Sequence, residues 1–156
     1  MIHAGLKLDI PGDFAIDQAM ISFRAPDPVV SRAPVMQKVT TIRPSLIVHR
    51  REVGDTDLAI MAGEITAELI TSINGLSALT TEAFSYADDA PGVMVGFDFG
   101  AAEVGTARQY HALRKDGSVL TTITLTIDKL TLNEATKNKW LALISSVVRD
   151  GDGVIR

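Results

Sequence analysis

Val93-Met94-Val95-Gly96-Phe97-Asp98-Phe99 alternates with a period of two. Val93, Val95, Phe97 and Phe99 share one side, opposite Met94, Gly96 and Asp98. A strand turns successive side chains to opposite faces, so this pattern predicts a strand of an antiparallel sheet with one face buried. Three neighbouring stretches have similar strand character: Thr80–Ala87, Val104–Leu113 and Val119–Ile127. Between the four lie Asp88-Asp89-Ala90-Pro91-Gly92, Gly100-Ala101-Ala102-Glu103 and Lys115-Asp116-Gly117, each rich in turn-forming residues. The four stretches read as a meander.

A helix precedes the meander. Leu58, Met61, Ala62, Ile65, Leu69 and Ile73 recur at helical spacing, while Glu64, Glu68 and Thr71 face outward. Gly54-Asp55-Thr56-Asp57 supplies a cap and negative charge at the N-terminal end, and Asn74-Gly75 ends the helix. A second helix follows the meander, opened by Thr131-Leu132-Asn133-Glu134 in a capping-box pattern. Its core side is Leu132, Trp140, Leu143, Ile144 and Val147.

Upstream of the first helix the signals are strands and turns. Leu6-Lys7-Leu8-Asp9-Ile10 alternates and stops at Pro11-Gly12. Ala19–Arg24 alternates again, with Ile21 and Phe23 on one face. Pro26, Pro28, Pro34 and Pro44 mark residues 25–44 as a long irregular connection. Ser45–Glu52 is apolar and β-branched at its start and charged at its end. Asp150–Gly153 reads as a frayed tail. Strand, strand, strand, helix, four-strand meander and helix together predict an α+β fold, an antiparallel sheet with both helices packed on it.

With 156 residues, the chain has room for one domain over residues 1–156, whose core runs over about 6–148. It contains no cysteine, which excludes disulfides, thiolate metal sites and cysteine nucleophiles. Met1–Gly5 offers no signal-peptide pattern, and no apolar run is long enough to cross a bilayer, so a cytoplasmic protein without direct membrane insertion is expected. Charge is unevenly spread. Between Glu52 and Ala107 lie ten acids and no Lys or Arg, whereas the 15 bases all lie outside. Such a stretch repels a phosphate backbone, so nucleic acid is not an expected partner. It reads as a solvated acidic face, or as one that prefers a basic partner.

Catalytic patterns are missing. His3 and His111 have no His, Asp or Glu at helical metal-ligand spacing, His49 has Glu52 three residues on but lies among arginines in a strand-like stretch, and His111 on a strand reads as a structural histidine. There is no Gly-x-Ser-x-Gly elbow and no Ser-x-x-Lys pair. The glycines around Val93–Phe99 lack the Lys-Ser/Thr of a phosphate loop and run into a strand, where they serve turns and close backbone approach. Asp88 and Asp89 are adjacent and belong to a turn rather than to a carboxylate dyad. No metal, no cofactor and no enzymatic activity are expected.

The order of elements, together with the opening strand ending Asp9-Ile10-Pro11, the stretch Leu46–Glu52, Asn74-Gly75-Leu76 and Ala107-Arg108-Gln109-Tyr110, resembles the DcrB-related family. The resemblance covers roughly residues 6–148 and implies a fold like that of the Mog1p/PsbP group. Members without a lipoprotein signal include the Eag-type chaperones of type VI secretion, which form dimers around the N-terminal transmembrane helices of effectors. It implies a cytoplasmic homodimer that shields the hydrophobic N-terminal segment of a secreted effector. Ile21 and Phe23 match the strand that supplies apolar grip, and Arg108-Gln109 matches an Arg-Gln pair in the penultimate strand. Eag-type chaperones often carry a glutamine on the first helix, whereas residues 52–78 hold none. Helix binding needs alternate apolar side chains along strands and a few polar groups. Ile21, Phe23, Leu46 and Val48 are the candidates for the first and Gln109 for the second. Ordinary core packing is the competing role for the four apolar residues, and a small-molecule or lipid-like ligand-binding module is the alternative function.

Overall fold

Six strands carry the molecule. The computed structural model describes residues 2–3, 6–7, 18–24, 42, 44–101 and 105–147, with side chains for 42, 44–100 and 105–147. Short strands β1 (Ile2–His3) and β2 (Leu6–Lys7) pair as a separate antiparallel ribbon. The main sheet is built from β3 (Gln18–Arg24), β4 (Ser45–Glu52), β5 (Ser77–Ser85), β6 (Pro91–Ala101), β7 (Gly105–Asp116) and β8 (Val119–Asp128). Its order is β3-β4-β8-β7-β6-β5, and every pairing is antiparallel. Strands β5 to β8 form the expected meander, β4 crosses over to lie beside β8, and β3 and β5 form the two edges. With helices α1 (Leu58–Ser72) and α2 (Glu134–Ser145), the class is α+β.

The helices cover opposite faces of the sheet. Register places Leu46, Val48, Ile123, Leu125, Tyr110, Ala112 and Met94 on one face. There α2 contributes Ile144, Trp140 and Leu141 to a core that includes Tyr86 and Ile127. The other face carries Val93, Leu113 and Leu120, against which α1 buries Met61 and Ala62. Both faces are therefore covered in part, while Gln109, His111, Thr122, Thr124 and Thr126 on the α1 face stay half-buried. In β6, Val95 and Phe97 are buried on the α1 face, and Gly96 and Asp98 are buried on the other. The alternation in β6 arises from the chemistry of two different cores, not from one buried and one wet face as expected.

Boundaries follow local chemistry. Asp57 caps α1 by accepting from the Ala59 amide at 2.7 Å, and the acids Asp55 and Asp57 precede the first turn instead of lying in it. The helix closes where the Ile73 amide donates to the Leu69 carbonyl, and Gly75 follows at a φ of 75°. The cap of α2 is Asn133, whose side chain accepts from the Thr136 amide, and not Thr131. Thr131 belongs instead to a 3-10 turn, Lys129–Thr131, and donates its hydroxyl to the Asp128 carbonyl. Pro91-Gly92, expected in a turn, opens β6. Leu8–Ile10, Pro11-Gly12, most of the proline-rich 25–44 connection and the Asp150–Gly153 tail lie outside the described residues.

Candidate functional site

Strands β3 and β4 hold four of the five residues expected to bind a client. Register sets Ile21 opposite Val48 and Phe23 opposite Leu46, so the four positions form two adjacent cross-strand pairs on one face. Leu46 and Val48 in turn stand opposite Leu125 and Ile123 of β8. Both are half-buried and pack on the core cluster under α2. Through Leu46 and Val48 that core reaches β4, the strand next to the β3 edge.

Gln109 does not join them. It pairs with Thr126, which pairs with Ser45, so it lies on the α1 face, opposite to the four apolar positions. A single groove combining all five residues is corrected by this register. On its own face Gln109 is the centre of a short polar line. Its Nε2 donates to Thr126 Oγ1 at 2.7 Å, and its Oε1 lies 3.1 Å from His111 Nε2. With the amide in that orientation, Oε1 accepts and His111 carries its proton on Nε2. Burial pushes the His111 pKa down to about 4, so the ring is neutral, and it lies 5.5 Å from the Phe97 ring. Polar groups this deep are tolerated because each finds a partner.

Two charged clusters of the α2 face have no counterpart in the sequence reading. Arg114 is 3% exposed, and all five of its N–H donors are used. Nε and Nη2 donate to Asp116 at 2.7 and 3.0 Å, and Nη1 and Nη2 donate to Asp88 at 2.7 and 2.6 Å. Nη1 also donates to the Val147 carbonyl at 3.2 Å. The guanidinium lies 5.2 Å from the Tyr86 ring and joins the β5–β6 turn, the end of β7 and the chain just past α2. The hydrogen bonds to Asp116 and Asp88 hold its pKa well above the ordinary arginine value. The second cluster centres on Asp98, buried between Arg108 and Lys129. Arg108 also donates to the Ala78 carbonyl and Thr80 Oγ1, and it lies 5.1 Å from the Tyr110 ring. Arg108 and Gln109, neighbours in sequence, therefore serve opposite faces.

Glycines on β6 make this packing possible. A Cβ on Gly92 would lie 2.6 Å from the Phe84 ring and 2.7 Å from the Tyr86 ring. One on Gly96 would lie within 3.1 Å of Arg108, Thr80 and Tyr110. Close backbone approach is thus their role, as expected. Among the described residues, no group of three His, Asp or Glu is placed to hold a metal ion, and no helix is long and apolar enough to cross a membrane.

No family model matches the chain, and no curated protein matches it. Solved structures do. The Pseudomonas aeruginosa protein of unknown function PA94 superposes with a TM-score of 0.69 at 15% identity, over 96% of this chain and 95% of that one. At that identity the likeness is one of fold. LpqN of Mycobacterium tuberculosis, involved in cell envelope biogenesis, reaches a TM-score of 0.43 at 16% identity, over 82% of this chain and 79% of its own.

Proposed function

We propose that the chain is a cytoplasmic, DcrB-like chaperone or adaptor that covers the hydrophobic, transmembrane segment of a secreted effector until export. On this reading its α+β sheet belongs with the Mog1p/PsbP-like folds, and the effectors are those of type VI secretion, as the resemblance to Eag-type chaperones implies. The observation that carries the reading is the pairing of Ile21 with Val48 and of Phe23 with Leu46 on one face at the sheet edge. An uncovered membrane helix aggregates in water, and each Å² of apolar surface that a host removes from solvent gains about 25 cal/mol. An edge pair of strands with apolar residues at every second position supplies such a host along a helix.

One copy is too short for the task. A helix of about 20 residues is about 30 Å long, so two copies are needed to cover it, and a homodimer follows. Light scattering at tens of micromolar should give twice the mass of one chain; a strict monomer would contradict the dimer.

The reading is tested by co-expressing the chain with an effector's N-terminal transmembrane segment fused to a soluble reporter. The expected result is a soluble complex that purifies as one species. A reporter that stays in the membrane or pellet fraction overturns the reading. If only a short lipid-like amphiphile binds, the chain is a ligand-binding module instead.

A further inference from the structure

A second surface lies at the opposite edge of the sheet, away from β3. Helix α1 packs chiefly on β6 and β7, with Met61 and Ala62 buried in one cluster with Leu113 and Leu120. Between helix and edge remains an open cavity of about 370 Å³. Its walls are small: Ala59, Gly63 and Thr66 on α1, and Thr81, Ala83 and Val93 on the sheet. Ile70, one turn beyond Thr66, is 56% exposed.

The edge itself is open over Thr80–Ser85. Strand β5 is outermost in the sheet, and among the described residues no strand pairs with its outer side. Protein edges are commonly blocked by Lys, Pro or a bulge. Ser77–Ser85 contains neither Lys nor Pro, and its one irregularity lies between Ser77 and Thr80, so Thr80–Ser85 stays regular. Thr80, Thr81, Glu82, Ala83 and Ser85 are exposed. Glu82 stands on the face of β5 away from the cavity, because it pairs with Met94, whereas Ala83 pairs with Val93.

Charge selects the occupant. The elements that form the groove lie in the stretch from Glu52 to Ala107, which has no Lys or Arg, and Glu82 is exposed on β5; Arg108 of β7, which reaches Ala78 and Thr80, is paired with Asp98. A second copy would bring the same acidic edge against itself, and like charges opposite each other oppose pairing. We propose that the outer edge of β5 takes up an extended basic segment of a partner protein as a seventh strand. Its apolar residues, at every second position, enter the groove against α1, and its Lys or Arg residues between them stand beside Glu82. Backbone pairing supplies affinity and the groove supplies selection, as in other strand-addition sites. This inference is independent of helix binding at β3 and β4.

The test uses a labelled eight-residue peptide alternating Val and Lys, with an otherwise identical Val/Glu peptide as the control. Fluorescence anisotropy should show binding of the Lys peptide alone, weakening as salt rises, with slowed amide exchange over Thr80–Ser85. Glu82→Lys and Ala83→Lys should each weaken binding at least tenfold at an unchanged melting temperature. Either variant suffices if the other fails to fold, since both alter exposed positions. Absence of binding up to millimolar peptide, equal binding of the acidic peptide, protection away from β5, or indifference to both variants overturns the proposal. So does a concentration-dependent dimer abolished by Ala83→Lys in place of peptide binding, which would make the edge a self-association surface.

Discussion

At the scale of single residues, the structure depends on charges that were taken out of water and paired. Arg114 is the clearest case. Removing its guanidinium leaves Asp116 and Asp88 without their shared cation and the Val147 carbonyl without a donor. Arg114→Met is expected to cost about 3 kcal/mol, read by urea denaturation, because it strands charges whose desolvation has already been met. Arg114→Lys should recover only part, since an ammonium cannot reproduce the planar fork. His111 gives a pH dependence with a definite sign. Its folded pKa of about 4 lies below the ordinary value of 6.5, so the folded state resists a proton that the unfolded chain accepts. Its contribution is complete above pH 6.5 and is lost as pH falls from 6.5 to about 4, amounting to about 3 kcal/mol. Melting temperatures across that window should fall less for His111→Gln than for the native chain. Little of this was visible in sequence. His111 was legible as a structural histidine, but Arg114 meets Asp88 across 26 residues only because the β5–β6–β7 meander closes in one register.

At the scale of elements, local pattern and final structure agree where the local signal is the whole cause. Helix α1 has apolar residues at helical spacing, a capping Asp and a terminal Asn-Gly, and it forms over Leu58–Ser72. The four meander strands exist as expected, with ends displaced by at most three residues. Disagreement arises where a neighbour competes for the same group. Thr131 has the spacing of a capping residue, but Asp128 binds the Leu130 amide and takes the Thr131 hydroxyl on its carbonyl, so the cap passes to Asn133. Asn133→Ala should therefore destabilise the protein by about 1 kcal/mol in thermal melts, and Thr131→Ala by less. The faces of the strands illustrate the same limit. Period two states which residues of β4 or β7 share a face, but not which face of β4 meets which face of β7. That is fixed by β4 pairing with β8, 67 to 81 residues away, and it separates Gln109 from Leu46 and Val48.

At the scale of the whole molecule, one six-stranded sheet separates two cores and ends in two chemically different edges. The acidic stretch noted in sequence supplies α1 and the β5 edge, while the apolar pairs of β3 and β4 occupy the other edge. The α+β class was legible because each element carries its own periodicity; the crossover of β4 was not, because no local signal encodes it. Whether the β3 edge hosts a helix or merely completes a core turns on how a charge behaves there. On an open surface an aspartate reaches water and the fold survives; in a sealed core it cannot, and several kcal/mol are lost. The decisive measurement is therefore binding of a labelled 20-residue transmembrane peptide to Ile21→Asp and Phe23→Asp, each first shown by thermal melting to be folded or not. The expected result is two folded variants, melting near the native chain, that no longer bind the peptide. Variants that fail to fold, or that fold and bind the peptide as the native chain does, would contradict a client-binding surface at Ile21 and Phe23.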